Sequence, residues 1–301
     1  MTQHIFWISS YPKSGNTLLR SIISSIFFSD DGKFNFNLLK KIVSFEEIIR
    51  IKNIHSLYPN VFVDKNLNQR NDIIYKNMNE IQKKNNLGFE EDFAFFKTHF
   101  SAKNYNDYSF IIPKNIRGVF YIIRDPRDVI ISWSKHTNIT LAESCDFIIN
   151  ENSSIRWIDI EKYKSYPSNL PVYLSSWQNH VLSWIKNLNN IPHMIIKYED
   201  LVYNKEKLLL NILDFFETKF NIKTTNKDLK IKNIIETTSF NFMKNMEDNL
   251  GFNESIDSKK FFSVGRKEQW KKDLEINQIN KIENKFGEIM RKFQYKLSVE
   301  L

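Results

Sequence analysis

The apolar positions of this chain fall into short blocks with two alternating spacings. His4 to Ser9 is a compact apolar run of strand length. From Thr17 to Phe28 the side chains of Leu18, Ile22, Ile23 and Ile26 recur at helical intervals. "FAFFKTHF", Phe93 to Phe100, predicts a second buried strand, and Val119 to Ile123 a third. Asp125-Pro126 then reads as a turn, with a helix from Asp128 onward. Pro126 suits a helix start because its ring fixes φ. In "LSSWQNHVLSWIKNL", Trp177, Val181 and Trp184 share one face of a helix. "HMIIKYEDL" predicts a fourth strand ending at Tyr198-Glu199-Asp200, followed by a helix around Lys205 to Phe216.

Between these blocks, residues 30 to 90 are polar, rich in Asn and Lys, and weakly periodic. They read as helices and loops covering the site. Thr140 to Pro171 reads as irregular, with helical patches. Strands alternating with helices predict an α/β fold with a mostly parallel central sheet flanked by helices. No repeat or linker interrupts the pattern, and Gly and Pro number only 7 each. The expectation is one domain over residues 1–301, long enough for a substantial core.

Composition narrows the partners. The formal net charge of +8 favours anionic ligands. The lysines are scattered, without a dense basic block interleaved with aromatics, so nucleic-acid binding is not expected. With one cysteine, Cys145, no internal disulfide can form, which fits a reducing compartment. No stretch reaches the ~18 apolar residues that a membrane span requires. "MTQHIFWISSYPKSG" has neither a basic n-region nor a long apolar core, so no signal peptide is expected and the protein reads as cytoplasmic.

The junction "YPKSGNT", Tyr11 to Thr17, carries the first chemistry. Where a strand turns into a helix, loop N–H groups and the helix N-terminus favour an anion. Gly15 admits close backbone approach. Lys13 supplies a mobile ammonium, and Ser14, Asn16 and Thr17 add polar side chains. The loop therefore reads as a phosphate cradle. The Walker pattern is absent, because Lys13 precedes Gly15 and no second glycine is present.

Further stretches join it. "YPKSGNT" resembles the 5′-phosphosulfate loop of the cytosolic-type sulfotransferases, which use 3′-phosphoadenosine-5′-phosphosulfate (PAPS). "YIIRDPRDVIISW" resembles their 3′-phosphate motif, with Arg124 and Ser132 at the family spacing. "FKTHF" is similar to the Lys-Thr-His stretch that carries the catalytic base, "TTSFNFMK" to the adenine-contacting segment, and "KYEDL" to another family piece. They occur in the family's order between residue 5 and about residue 275.

The resemblance implies a PAPS-dependent sulfotransferase with a P-loop-like phosphosulfate-binding strand–loop–helix. His99 is then the general base, chemically apt because an ordinary imidazole titrates near neutrality. Lys13 stabilises the leaving phosphate, and Lys97 sits on the sulfuryl group. Lys13, Ser14, Gly15, Asn16 and Thr17 hold the 5′ side. Arg124 and Ser132 hold the 3′-phosphate; the plain alternative for Arg124 is an ion pair with Asp125 or Asp128. Thr238 and Phe240 lie on the adenine side, and Tyr198 matches the family tyrosine near the nucleotide. Glu199 and Asp200 read as helix-start residues, and His180 as structural.

The C-terminal motif departs from the family's R-K-G-x-x-G-x-W-K. "SVGRKEQWK" keeps Gly265, Trp270 and Lys271, but has Ser263, Val264 and Glu268 elsewhere, with Arg266 and Lys267 as substitute cations. Leu18 replaces a common tryptophan after the loop. The family's dimer motif is unmatched around Lys271 to Asn280, so oligomeric state is left open. No metal ligand spacing is present. The acceptor reads only as a small molecule, lipid or glycan. An ATP-dependent kinase-like transferase and a non-catalytic anion-binding module are the competing readings.

Overall fold

Strand β1 (His4–Ser10) is central in a five-stranded sheet with β2 (Val43–Ser44), β3 (Phe93–Thr98), β4 (Ile116–Ile123) and β7 (His193–Lys197), in the order β2-β3-β1-β4-β7. The computed structural model describes residues 4–46, 67–83, 93–156, 171–252, 254, 260–262, 265 and 267–300, with the backbone alone at 4, 67–71 and 156. β1 and β3 pair in parallel, His4 opposite Phe93 and Ser9 opposite Thr98, and β2 runs parallel to β3. Ile5, Phe6, Trp7 and Ile8 are all fully buried, as a sheet covered on both faces requires. Alternation puts Phe6 on one face, stacked on Phe95 at 5.1 Å, and Trp7 on the other, edge-on to Phe45 at 4.8 Å.

The remaining elements are helices α1 (Asn16–Phe28), α2 (Leu67–Lys83), α3 (Pro126–Thr137), α4 (Leu141–Ile149), α5 (Trp177–Lys186), α6 (Tyr198–Tyr203), α7 (Lys205–Phe220), α8 (Lys227–Thr237), α9 (Phe240–Leu250), α10 (Trp270–Asp273) and α11 (Ile276–Lys292), with an antiparallel pair β5 (Ser154–Arg156) and β6 (Pro171–Tyr173). The α/β architecture read from the sequence is the one observed. Among the described residues no helix is long and apolar enough to cross a membrane.

Several boundaries differ from expectation. α3 begins at Pro126 rather than Asp128, because the Asp125 side chain caps it by accepting from the Arg127 N–H. β3 ends at Thr98, two residues early, where the Glu46 carboxylate takes the Thr98 hydroxyl and the His99 N–H. β4 starts at Ile116, not Val119; Arg117 hides in the strand by laying its guanidinium 5.2 Å from the Phe93 ring centroid. β7 stops at Lys197, and Tyr198-Glu199-Asp200 open a helix, their two acids in its first turn. The span from Thr140 to Pro171 contains α4 and β5; residues 157–170 lie outside the described residues.

By its internal contacts the chain divides into two compact units. One comprises Met1–Tyr11, Val43–Tyr121 and Asn150–Met194, and the other Pro12–Ile42, Ile122–Ile149 and Ile195–Leu301. In the first, Trp177, Val181 and Trp184 of α5 are all buried, as their common face predicts. In the second, Phe27 of α1 meets Phe216 of α7 edge-on at 4.7 Å.

Candidate active site

In the first unit the candidate base, His99, follows directly on the carboxyl end of β3. His99 is 8% exposed, and its ring is tied to the end of β1. Its Nδ1 lies 2.8 Å from the Ser10 carbonyl oxygen and 3.4 Å from the Ser10 hydroxyl. A carbonyl oxygen only accepts, so Nδ1 carries the proton and Nε2 the basic lone pair. The backbone is fixed too. The His99 N–H donates to Glu46 Oε1 at 2.5 Å, and the His99 carbonyl accepts from His180 Nε2 at 3.1 Å.

His180 in turn accepts the Tyr121 hydroxyl on Nδ1 at 2.9 Å. Burial lowers its pKa from 6.5 to about 4, so at neutral pH it is an uncharged strut, the structural role the sequence suggested. Lys97 is buried in β3, opposite Ile8 of β1 and Ser44 of β2.

In the second unit the Tyr11–Thr17 junction forms the expected loop before α1. Lys13 (φ 64) and Gly15 (φ 101) both take left-handed backbone conformations. That cost at a lysine is typical of strain kept at a functional site. A Cβ on Gly15 would stand 2.7 Å from Tyr198 Cδ2, so glycine is required by both φ and space. The Lys13 ammonium sits 4.3 Å from the Phe261 ring centroid. Ser14 is fully buried, and its hydroxyl has no hydrogen-bond partner among the described residues. Asn16 and Thr17 open the helix, and Thr17 donates its hydroxyl to Glu254 at 2.9 Å.

Arg124, at the carboxyl end of β4, braces this loop. Its Nη1 donates to the Lys13 carbonyl at 2.9 Å, and its guanidinium lies 4.1 Å from the Tyr198 ring centroid. Its Nε is buried without a partner among the described residues. Asp125 pairs instead with Arg127, Nη2 to Oδ2 at 2.7 Å, and Arg127 also reaches Glu283 at 2.6 Å. Asp128 accepts the N–H groups of Glu268 at 2.7 Å and Trp270 at 3.1 Å. Burial raises the Asp128 pKa, while the Arg124 charge and those N–H donors oppose the rise. Ser132 is half-buried in the second turn of α3.

The adenine-side candidates converge in part. A Cβ on Gly265 would fall 2.8 Å from Phe240 Cε2, so the backbone at Gly265 stands close against that ring. Thr238 is fully buried; its hydroxyl donates to the Ile234 carbonyl at 2.6 Å and accepts from Lys205 Nζ at 3.2 Å. Its single proton is committed, which leaves Thr238 only a lone pair to offer. Lys267 is exposed, with its ammonium 4.8 Å from the Tyr203 ring centroid. Arg266, Ser263 and Val264 lie outside the described residues. Leu18 packs on the Phe34, Leu39 and Met243 cluster. Glu199 is a helix-start residue that also accepts the Tyr295 hydroxyl at 3.1 Å.

Sequence reasoning missed Glu46, Arg127 and Glu254, whose roles rest on long-range contacts without periodic signature. Among the described residues no three His, Cys, Asp or Glu side chains converge on a metal position. The second-unit residues fit a phosphorylated anion: a buried hydroxyl at Ser14 and a buried guanidinium N–H at Arg124, both without partners among the described residues, a glycine cradle and an ammonium.

A family profile described as "Sulfotransferase domain" matches residues 3–294. An amine sulfotransferase of Oryctolagus cuniculus is 20% identical over 199 residues, 64% of this chain and 62% of its own length. A luciferin sulfotransferase of Photinus pyralis is 24% identical over 250 residues, 79% of this chain and 56% of its own length. The chain thus spans less than two thirds of these curated relatives. Among solved structures, a mouse sulfotransferase complexed with PAP aligns at TM-score 0.57 and 20% identity, covering 96% of this chain and 84% of that one. Retinol dehydratase in complex with androsterone and inactive cofactor PAP aligns at TM-score 0.60 and 14% identity, covering 99% and 84%. Both likenesses establish the fold.

Proposed function

The chain belongs to the sulfotransferase domain family, and on that premise we propose that it transfers a sulfuryl group from PAPS to a hydroxyl or amine of an acceptor. The cofactor supplies the SO₃ group and departs as adenosine 3′,5′-bisphosphate. Ser14, Gly15, Asn16 and Thr17 hold its 5′ side, with Lys13 neutralising charge on the leaving phosphate. Arg124 and Ser132 hold the 3′-phosphate. Thr238 and Phe240 are assigned to the adenine side and Tyr198 to the nucleotide nearby, while Gly265, Arg266 and Lys267 belong to the motif that supplies charge to the 3′-phosphate. Lys97 faces the transferred group. His99 accepts the acceptor's proton on Nε2. We place the protein in the cytoplasm, in keeping with its single cysteine. A small apolar alcohol as acceptor accords with the androsterone named with the retinol dehydratase neighbour.

The observation that carries this reading is the 2.8 Å approach of His99 Nδ1 to the Ser10 carbonyl oxygen. Its Nδ1 proton is committed to the Ser10 carbonyl, which leaves Nε2 basic.

The test is transfer from sulfur-labelled PAPS to a panel of phenols, alcohols, amines, lipids and glycans. Labelled product is expected with the parent chain and not with His99→Ala, while His99→Ala still binds adenosine 3′,5′-bisphosphate. Phosphoryl transfer from ATP with Mg²⁺, or undiminished turnover in His99→Ala, contradicts the reading.

A further inference from the structure

The first turn of α1 contains no acidic residue of its own, yet a carboxylate lies against it. Glu254 accepts from the Thr17 hydroxyl on Oε2 at 2.9 Å and from Arg20 Nη1 on Oε1 at 2.5 Å. One carboxylate therefore bridges the loop's last residue and a cation one turn further along. Arg20 is only 4% exposed. Its Nη2 reaches toward the Leu39 carbonyl at 3.4 Å and donates to the Ile42 carbonyl at 3.2 Å, so the guanidinium is anchored where it stands. The Glu254 side chain is 31% exposed.

We propose that Glu254 is an internal counter-anion occupying the position of the cofactor's 5′ anionic group, and that Arg20 is a further cofactor-binding cation which that group takes over. This rests on the reading of the Lys13–Thr17 loop as the phosphosulfate cradle. The asymmetry of burial sets the direction of exchange. A buried guanidinium stripped of its only carboxylate partner among the described residues is strongly disfavoured. Glu254 leaves, then, only as another anion arrives, and it leaves for water. The carboxylate also completes the cradle imperfectly: it satisfies Thr17 and Arg20, while the buried Ser14 hydroxyl stays unpartnered. A phosphate ester has more acceptor oxygens and can answer all three. Cofactor affinity in this chain is thereby set by competition with its own glutamate.

The test is calorimetric titration of adenosine 3′,5′-bisphosphate into the full chain and its variants. Glu254→Gln removes the competing charge while keeping an acceptor, and its Kd is expected to fall by about tenfold, the effect of one charge-assisted contact. Arg20→Met is expected to weaken binding, and to do so in the Glu254→Gln background as well. If Arg20 served only to hold Glu254, the second effect would vanish, and that result overturns the proposal. A Glu254→Gln variant with unchanged or weaker affinity overturns it too, and decides the matter alone if Arg20→Met fails to fold. Absence of binding in the parent and every variant sinks the sulfotransferase reading along with this one. Binding by the parent with no change in Glu254→Gln sinks only this one.

Discussion

His180 donates through Nε2 to the carbonyl oxygen of His99 at 3.1 Å, one histidine serving as the strut of another. The two rings have opposite assignments. His180 is fully enclosed and carries its proton on Nε2, with Nδ1 accepting the Tyr121 hydroxyl, whereas His99 turns its Nδ1 to the Ser10 carbonyl. The strut carries a pH signature. Its folded pKa of about 4 lies below the ordinary 6.5, so between these values the unfolded chain binds a proton that the folded chain refuses. Its contribution is complete above pH 6.5 and declines as pH falls through that window. Thermal unfolding from pH 7 to 4.5 should show a steeper loss in the parent than in His180→Gln, which starts less stable by roughly 1–3 kcal/mol. Parallel profiles would remove the strut from the account.

Turnover in His99→Ala is expected to drop by about 100- to 10,000-fold, the usual worth of a general base. Affinity for adenosine 3′,5′-bisphosphate should change little, since no cofactor contact is assigned to His99. A comparable loss of binding would recast His99 as a ligand residue.

Gly15→Ala places a methyl 2.7 Å from Tyr198 Cδ2 at φ +101. The strained conformation alone costs about 1–3 kcal/mol. A lower melting temperature with weaker nucleotide binding is the expected pair of results. A variant equal to the parent in both would mean that the loop relaxes freely.

The two arginines of "RDPRD" should separate cleanly. Arg127 is buried against Asp125 and Glu283, with its guanidinium 3.6 Å from the Trp270 ring centroid. Arg127→Met strands two buried carboxylates and should cost about 3–5 kcal/mol of stability. Arg124→Ala should spare stability by comparison and weaken cofactor binding instead. Denaturant melts and titration calorimetry on the two variants distinguish these outcomes, and a reversed pattern would exchange the roles.

The sheet was legible because β1 and β3 are buried on both faces and so read as unbroken apolar runs. The helical phase of Trp177, Val181 and Trp184 announced α5 for the same reason. Boundaries were less visible where one side chain decides them. Arg117 conceals the start of β4 because its stem and guanidinium cover aromatic rings, a choice that charge alone does not advertise. Tyr198 looks like strand until its place at the head of α6 is known. The loop and His99 stand out in the sequence as candidates because they obey local chemistry: strand, turn, helix, ammonium, imidazole. Glu46, Arg127 and Glu254 could not, since each acts across 52 or more residues of chain or through a partner that no spacing rule names. The tautomer of His99 depends on a carbonyl 89 residues away, and no side-chain pattern encodes it.

The most direct measurement is titration of adenosine 3′,5′-bisphosphate into the purified chain, with ATP–Mg²⁺ as the comparison ligand. Saturable binding at one site is expected, weakened sharply in both Lys13→Ala and Arg124→Ala, with no comparable binding of ATP–Mg²⁺. Absence of bisphosphate binding, or binding indifferent to both substitutions, would contradict the sulfotransferase reading.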